Sequence, residues 1–277
     1  MNPASKKLLF GTAGVPLSTS SSTLAGIEHI RELELDCLEI EFVMGVKMNT
    51  HLAQKIREAS LAHNISLSVH APYYINLNSM EEGKRLASQE RLLSSARLAE
   101  LCGALNVTFH AGYYGRATPE QAFKTIKNGV IEVISILRRE RSNVILRPET
   151  MGKKTQFGTL EEILVLCREV EGLLPCLDFS HIHAREGKAN NYNAFHRILQ
   201  KVGKKLGKDA LKNAHIHISG VEYNEKGELK HINLEESDFH FDDWLQALKY
   251  FEVEGSVICE SPDLEKDALM LKKLYRD

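Results

Sequence analysis

The sequence has no long hydrophobic run, no closely spaced cysteine pair and no surplus of basic residues. Within its 277 residues, no segment approaches the roughly 18 uncharged apolar residues that a membrane span requires. The start, MNPASKKLLF, lacks the apolar stretch and the small-residue cleavage site of a signal peptide. We therefore expect a cytoplasmic protein with no membrane partner.

The cysteines and the charge balance exclude further classes. The five cysteines are an odd number, are scattered and form no C-x-x-C pair, so we expect buried thiols rather than a disulfide framework or a cysteine-based zinc knuckle. The 35 basic and 37 acidic residues give a formal net charge of -2. Taken alone, this balance argues against nucleic acid as a partner, although bound metal ions could reverse the charge locally.

Short apolar runs alternate with amphipathic stretches along the chain, and this pattern predicts eight strands and eight helices. The predicted strands are Lys7–Ala13, Cys37–Val43, Ile65–His70, Ala104–His110, Asn143–Glu149, Leu173–Asp178, Ala214–Ile218 and Gly255–Glu260. The predicted helices are Thr23–Glu34, Thr50–His63, Glu81–Leu101, Pro119–Arg139, Leu160–Val170, Tyr192–Leu206, Asp242–Phe251 and Leu264–Tyr275. Eight β/α units without a dividing linker are typical of a (β/α)8 barrel. We predict one α/β barrel domain over residues 1–277, with a doubly wound open sheet as the alternative.

Seven of the eight predicted strands end in a residue that can bind a metal, namely Glu41, His70, His110, Glu149, Asp178, His217 and Glu260. A barrel gathers the carboxyl ends of its strands at one mouth. So many carboxylates and imidazoles packed together without a counter-ion would be costly. This ligand set, without thiolate, suits zinc or manganese, and sometimes iron. A carboxylate such as Glu149 could bridge two ions, as in enzymes that hydrolyse phosphodiesters.

The remaining histidines differ in their expected roles. His181 and His183 are predicted to lie in the loop after the sixth strand. His215 shares a strand face with His217 because side chains alternate along a strand, and we interpret it as a barrel-interior residue that supports a ligand. Four histidines within or beside helices are interpreted as structural or surface residues: His29, His51, His63 and His196.

Six segments between Ser68 and Pro262 carry a resemblance: SVHAPYYINL, VTFHAG, LRPETMGK, CLDFSHIHA, HIHISG and VICESP. In their order and separation they resemble the endonuclease IV family of apurinic/apyrimidinic endonucleases. The resemblance implies a (β/α)8 barrel that uses metal ions, usually zinc, to hydrolyse the phosphodiester 5′ to abasic sites in duplex DNA during base excision repair. The oligomeric state stays open, with a monomer favoured.

The resemblance also implies a set of ligands for each ion. These are His70, His110 and Glu149 for the first ion, Glu149, Asp178, His217 and Glu260 for the second, and His181 and His231 for the third. Glu149 and Glu260 are also expected to act in catalysis. The third site lacks one ligand, because Leu229 stands where the family has an aspartate. Either Glu228, His183 or Asp238 replaces it, or the third ion is weakly bound or absent.

A DNA-binding role is implied for three further residues. Tyr73 and Tyr74 match the pair that the family inserts into the DNA stack, and Lys47 is a weaker match to a basic residue that enters it. Lys153 and Lys154 are candidate phosphate contacts. The alternative for the two tyrosines is that they only cover the barrel rim.

The main alternative function is a single-metal sugar or sugar-phosphate isomerase or epimerase of the xylose isomerase-like type. Such an enzyme needs a Glu, Asp, His, Glu set on the last four strands, which Glu149, Asp178, His217 and Glu260 would satisfy. His70 and His110 argue against it, because a single-metal site does not need them. A metal-binding protein without catalysis is a third possibility, but it does not explain the open barrel mouth.

Overall fold

A ring of parallel strands organises the computed structural model, which describes residues 7–19, 22–43, 45–187 and 189–277. The eight strands are β1 (Leu8–Ala13), β2 (Cys37–Glu41), β3 (Ser66–His70), β4 (Asn106–Phe109), β5 (Ile145–Pro148), β6 (Cys176–Asp178), β7 (Ala214–Ile218) and β10 (Gly255–Cys259). Their order is β5-β4-β3-β2-β1-β10-β7-β6. Parallel bridges from Leu146 to Leu173 and from Glu149 to Cys176 bring the two edges together. The predicted (β/α)8 barrel is therefore confirmed, and the open doubly wound sheet is excluded.

Helices follow the strands and cover the outside of the barrel. They are α1 (Thr23–Glu32), α2 (Thr50–His63), α3 (Glu82–Cys102), α4 (Pro119–Arg139), α5 (Leu160–Glu169), α6 (Phe179–Glu186), α7 (Tyr192–Leu206), α8 (Asp209–Lys212), α9 (Phe241–Tyr250) and α10 (Glu265–Arg276). All eight predicted helices are present. Thr118 and Thr159 begin α4 and α5 with capping boxes that satisfy free backbone donors. Among the described residues, no helix has the length and apolarity to cross a membrane.

The two faces of the strands have different chemistry. Along β7, Ile216 and Ile218 join the hydrophobic core, whereas the alternate residues His215 and His217 point into the barrel and reach Glu39 of β2. The barrel interior beneath the mouth is thus polar. The five cysteines are free and buried, as the sequence predicts.

Two segments are more ordered than the sequence indicates. Asp178 accepts a hydrogen bond from the His181 backbone N–H at 2.6 Å and begins α6, so His181 and His183 lie on a helix and not in a loop. The segment between β7 and α9, for which the sequence predicts neither strand nor helix, forms an antiparallel hairpin of β8 (Gly220–Asn224) and β9 (Gly227–Ile232). Both segments lie against the mouth of the barrel.

Candidate metal centre

The predicted ligands lie together at the barrel mouth. Residues at strand ends or one position to either side of them supply His70, His110, Glu149, Asp178, His217 and Glu260, while α6 supplies His181 and β9 supplies His231. Their ligand atoms form three groups in which all atoms lie within 4.8 Å of one another. The groups are His70, His110 and Glu149 (group A), Glu149, Asp178, His217 and Glu260 (group B), and His181, Glu228 and His231 (group C). A fourth group at the same spacing, Cys176, His215 and His217, shares His217 with group B and brings a thiol close to it, which the sequence does not predict.

Glu149 belongs to two of these groups because its two oxygens face different partners. Oε2 lies 3.3 Å from His70 Nε2 and 3.2 Å from His110 Nε2. Oε1 lies 3.1 Å from His181 Nδ1 and 3.7 Å from His217 Nδ1. The two oxygens thus face different imidazoles, which is the arrangement required of a bridging carboxylate.

Group A lies between β3, β4 and β5. The ring of His70 is fixed by Nδ1, 2.7 Å from the Ala71 carbonyl oxygen, which leaves Nε2 directed at Glu149. Burial alone would lower the pKa of His70, but Glu149 and Glu41 raise it to about 9. Burial lowers the pKa of His110. One imidazole in this group therefore holds a proton that a bound cation would replace.

Group B is the most deeply buried. His217 Nδ1 lies 3.2 Å from Glu260 Oε1, and Asp178 is paired with His217 in the register of β6 and β7. Burial raises the pKa of Asp178 to about 6. Burial alone would also raise the pKa of Glu260, but the neighbouring His217 lowers it to about 2. The three carboxylates crowd one another, and this crowding favours a positive charge between them.

Group C contains one of the three residues that could take the place of the aspartate of the endonuclease IV pattern. Glu228 Oε2 lies 3.3 Å from His181 Nε2, and Glu228 Oε1 lies 3.8 Å from His231 Nε2. Between β8 and β9, Glu222 pairs with Lys230 and Tyr223 pairs with Glu228, so Leu229 has no partner and forms a β-bulge. The bulge directs Leu229 to solvent, where it is 49% exposed.

The other two candidates for that position lie outside group C. His183 Nε2 and Asp238 Oδ1 are 3.0 Å apart and pair with each other, and Tyr223 donates to the same Asp238 carboxylate at 2.7 Å. Of the three alternatives, Glu228 is thus the residue that the fold brings to the two histidines.

Several polar atoms in the centre lack a hydrogen-bond partner although they are buried. Among the described residues these include Glu149 Oε1, Asp178 Oδ2 and His217 Nδ1, the ring nitrogen that faces group B. Orphaned buried polar atoms are costly unless something unseen satisfies them. Imidazole and carboxylate ligands at these spacings fit divalent cations such as zinc or manganese. The residues therefore fit divalent metal ions.

A comparison with protein families tests the fold assignment. The model of the xylose isomerase-like TIM barrel family matches residues 27–274. The chain belongs to this family.

Relatives of this xylose isomerase-like barrel carry two kinds of name. The chain is 47% identical to "Uncharacterized protein MJ0133" of Methanocaldococcus jannaschii over 98% of this chain and 97% of the relative. It is 28% identical to "Probable endonuclease 4" of Mycoplasma pneumoniae over 72% of this chain and 70% of the relative.

Solved structures show the same fold with different names. Endonuclease IV from Thermus thermophilus superposes with a TM-score of 0.74 at 17% identity, covering 96% of this chain and 97% of that one. The 3-keto-D-glucoside 4-epimerase from E. coli also gives a TM-score of 0.74, at 14% identity, covering 98% and 99%. At these identities the likeness establishes the fold alone.

The residues predicted to contact DNA lie on the rim of the barrel mouth. The Tyr73 hydroxyl donates to Glu41 Oε2 at 2.8 Å, and its ring lies 4.7 Å from the ring of His70 between centroids. Tyr74 points outward and is 50% exposed, with the Arg91 guanidinium 4.8 Å above its ring. Lys47 is exposed in the loop between β2 and α2. Tyr73 is thus anchored over group A, while Tyr74 is freer.

One buried acid of the centre is absent from the set of predicted site residues. Glu39 lies on β2 two residues before Glu41 and contacts His215 and His217. The alternation in the segment CLEIE is the signal that could have found it, since two glutamates at that spacing share one strand face. Attention to strand ends alone missed it.

Proposed function

We propose that this chain is a metal-dependent endonuclease that hydrolyses the phosphodiester 5′ to abasic sites in duplex DNA. The observation that carries the proposal is group A, which stands beside group B and shares Glu149 with it. Two adjacent cation sites joined by a carboxylate are a recurring arrangement for phosphodiester hydrolysis. The relatives named probable endonuclease 4 support the same reading.

The ligand groups determine where metal ions would act. Zinc is the expected ion and manganese the alternative, held by group A, group B and, through Glu228, group C. Bound ions would supply acidification of water and neutralisation of developing negative charge on phosphate oxygens. Glu149 and Glu260 would hold the cluster together. Their full ionisation is favoured, since nearby histidines keep the pKa values of both carboxyls below the usual range although burial alone would raise them.

The chain's own side chains supply features for DNA binding around the metal groups. A cavity of about 290 Å³ above the groups is lined by Tyr73, Tyr113 and Lys153, among others. This space suits a nucleotide that has left the duplex, because stacked DNA cannot reach into a barrel mouth. Lys153 is exposed at the edge of the cavity, where it could contact a phosphate.

The rim outside the cavity carries exposed apolar and aromatic side chains on the loops that follow several strands. These are Val43, Tyr73, Tyr74, Tyr113 and Leu229. Side chains of this kind can fill the gap that a displaced nucleotide leaves, at an unstacking cost of a few kcal/mol. These rim side chains therefore support the proposed insertion into the DNA stack. Tyr74 would be the outermost of the inserted side chains.

A second candidate is a single-metal sugar epimerase or isomerase. Group B alone contains the Glu, Asp, His, Glu set that this reaction needs, and the fold is equally close to an epimerase structure. The cavity of about 290 Å³ would also admit a monosaccharide. Group A remains unexplained in this alternative, so we favour the endonuclease.

The decisive assay is incision of a duplex oligonucleotide that carries one abasic site. We expect the zinc- or manganese-loaded protein to cut 5′ to the abasic site, and chelation to abolish the cut. The double variant His70→Gln/His110→Gln should lose incision, whereas His51→Gln, which changes an exposed histidine on α2, should retain it.

An abasic duplex left intact by the metal-loaded protein would overturn the endonuclease proposal. Epimerisation of a ketose or aldose by the same preparation, retained in the His70→Gln/His110→Gln variant, would establish the alternative instead.

A further inference from the structure

Glu39 lies in the barrel interior beneath the metal groups. It is fully buried, with 0% exposure, and it belongs to none of the three ligand groups. A buried carboxylate is costly unless it is paired and hydrogen-bonded. Glu39 must therefore have partners in the barrel interior that offset the cost of its burial.

The two oxygens of Glu39 have separate partners. Oε2 accepts a hydrogen bond from Ser68 Oγ at 2.7 Å and lies 2.8 Å from His215 Nε2. Oε1 lies 2.9 Å from His217 Nε2. Ser68 and His215 thus fix the carboxylate from two strands and leave one oxygen directed at His217.

The contacts of Glu39 fit an acceptor. A carboxylate offers only acceptor oxygens, so an imidazole that faces it pairs through an N–H. Glu39 faces His215 through Oε2 and His217 through Oε1.

The ring of His217 is turned so that its two nitrogens have different tasks. Nδ1 faces group B, 3.2 Å from Glu260 Oε1, whereas Nε2 faces Glu39. An imidazole that donates its N–H to a carboxylate presents its other nitrogen as a lone pair, and such a partner fixes the tautomer and orientation of a metal ligand.

We propose that Glu39 is a positioning residue that keeps the proton of His217 on Nε2 and directs Nδ1 at the cation site of group B. Ser68 and His215 hold Glu39 in place for this task. The inference rests on metal binding by group B, which is part of the proposed function, but it does not depend on whether the substrate is DNA or a sugar.

The test measures zinc affinity without any substrate. We expect Glu39→Ala to weaken binding of one zinc ion by about 10- to 100-fold, the range seen when a supporting partner of a ligand is removed. Glu39→Gln should give a smaller loss, because its amide oxygen can still accept one of the N–H groups. Competition with a chelator of known affinity measures both.

Asp36→Asn is the matched control, since it weakens a partly buried ion pair of 2.8 Å with Lys272 at the amino end of β2, the end away from the barrel mouth. It should lower thermal stability and leave zinc affinity at the wild-type value. If both Glu39 variants also retain wild-type affinity and lose only stability, the positioning role is overturned.

A spectroscopic readout applies even if Glu39→Ala does not fold. In the zinc-loaded wild-type protein, ¹H–¹⁵N NMR should show a slowly exchanging proton on His217 Nε2, and in Glu39→Gln this proton should exchange faster. An Nδ1 proton on His217 in the wild-type protein would overturn the proposal. Zinc affinity that depends on Glu39 in a protein that does not cut abasic DNA would uphold this inference and reject the endonuclease.

Discussion

The candidate metal centre has two parts that are built differently. Groups A and B come from residues at or next to strand ends, whose positions the parallel register of the barrel fixes. Group C comes from helix α6 and a hairpin that folds back over the mouth. The side chains of Glu149 and His217 are at most 1% exposed, whereas that of His231 is 25% exposed. The barrel thus builds a buried pair of sites, and an appended hairpin adds a more exposed third.

The hairpin is held by close backbone contact with the loop after β5. Gly227 has a φ of 102°, and a Cβ there would collide with the Gly152 carbonyl. A Cβ on Gly152 would in turn lie 2.7 Å from the Cβ of Glu228. These two glycines therefore permit the approach that brings Glu228 to His181. Group C depends on this local contact, and groups A and B do not.

The largest effect should follow from removing the carboxylate that joins groups A and B. Glu149→Gln should lower the rate of abasic-site incision by on the order of 10³-fold or more, because several kcal/mol of charge stabilisation would be lost. Quantitative gel assays of the metal-supplemented protein measure this. Glu58→Gln, an exposed carboxylate on α2, is the control. A Glu149→Gln protein with near wild-type incision would show that the shared carboxylate is not needed.

The second effect is a dependence of folding stability on pH, which arises mainly from the buried groups at the strand ends. Without ions, groups with a raised pKa bind more protons when folded, so their stabilisation is complete below the ordinary pKa and is lost as pH rises through the folded pKa. The pKa of His70 is raised from 6.5 to about 9 and that of Glu41 from 4.5 to about 7, and the pKa values of His181 and His217 are raised well above 6.5. The lowered pKa values of His110 and His215 act in the opposite sense, below pH 6.5. Above that pH, stability should therefore fall.

Urea denaturation of the chelated protein checks this expectation. Its free energy of unfolding should decrease by on the order of a few kcal/mol from about pH 6.5 to about pH 9. Zinc should remove most of the decrease. His70→Gln should make the decrease smaller in the chelated protein without abolishing it, because the raised pKa values of His181 and His217 remain. Stability that stays level or rises across this range would refute the assigned charges of the strand-held groups.

A third effect concerns the hairpin alone. Glu228→Gln should lower the zinc affinity of group C by at least about 10-fold and leave the affinities of groups A and B at the wild-type value. Adding Leu229→Asp, which introduces the aspartate of the endonuclease IV pattern, should not recover the lost zinc affinity, because the bulge directs residue 229 to solvent. Isothermal titration with zinc resolves the classes of site. Recovery of the third ion in the double variant would mean that the bulge is absent in solution.

The smallest effect should come from the rim. Tyr74→Ala should weaken binding to an abasic duplex by about 1–3 kcal/mol, the usual contribution of an aromatic side chain stacked on a base. Tyr73→Phe should retain DNA affinity, since it removes only the hydrogen bond to Glu41. Fluorescence anisotropy with a labelled duplex measures both variants. If Tyr74→Ala changes stability and not affinity, the tyrosine only covers the rim.

The same contrast explains what could be predicted from the sequence. Strand ends and strand alternation are local patterns, so the barrel and the candidate ligands His70, His110 and Asp178 could be located without a structure. Glu228 could only be one of several alternatives, because its selection depends on a bulge and on a glycine contact between distant segments. The sequence predicts a loop at His181, whereas the structure has helix α6 there. The pattern of strand ends identifies Asp178 as a candidate ligand but does not reveal that the same residue caps α6.

The number and position of bound ions test the central claim most directly. Anomalous diffraction from crystals of the zinc-loaded protein should give two adjacent peaks on either side of Glu149, one beside His70 and His110 and one beside Asp178, His217 and Glu260, with a third beside Glu228. A single peak within group B, at saturating zinc and with His70 and His110 unoccupied, would contradict the account and favour a one-metal epimerase.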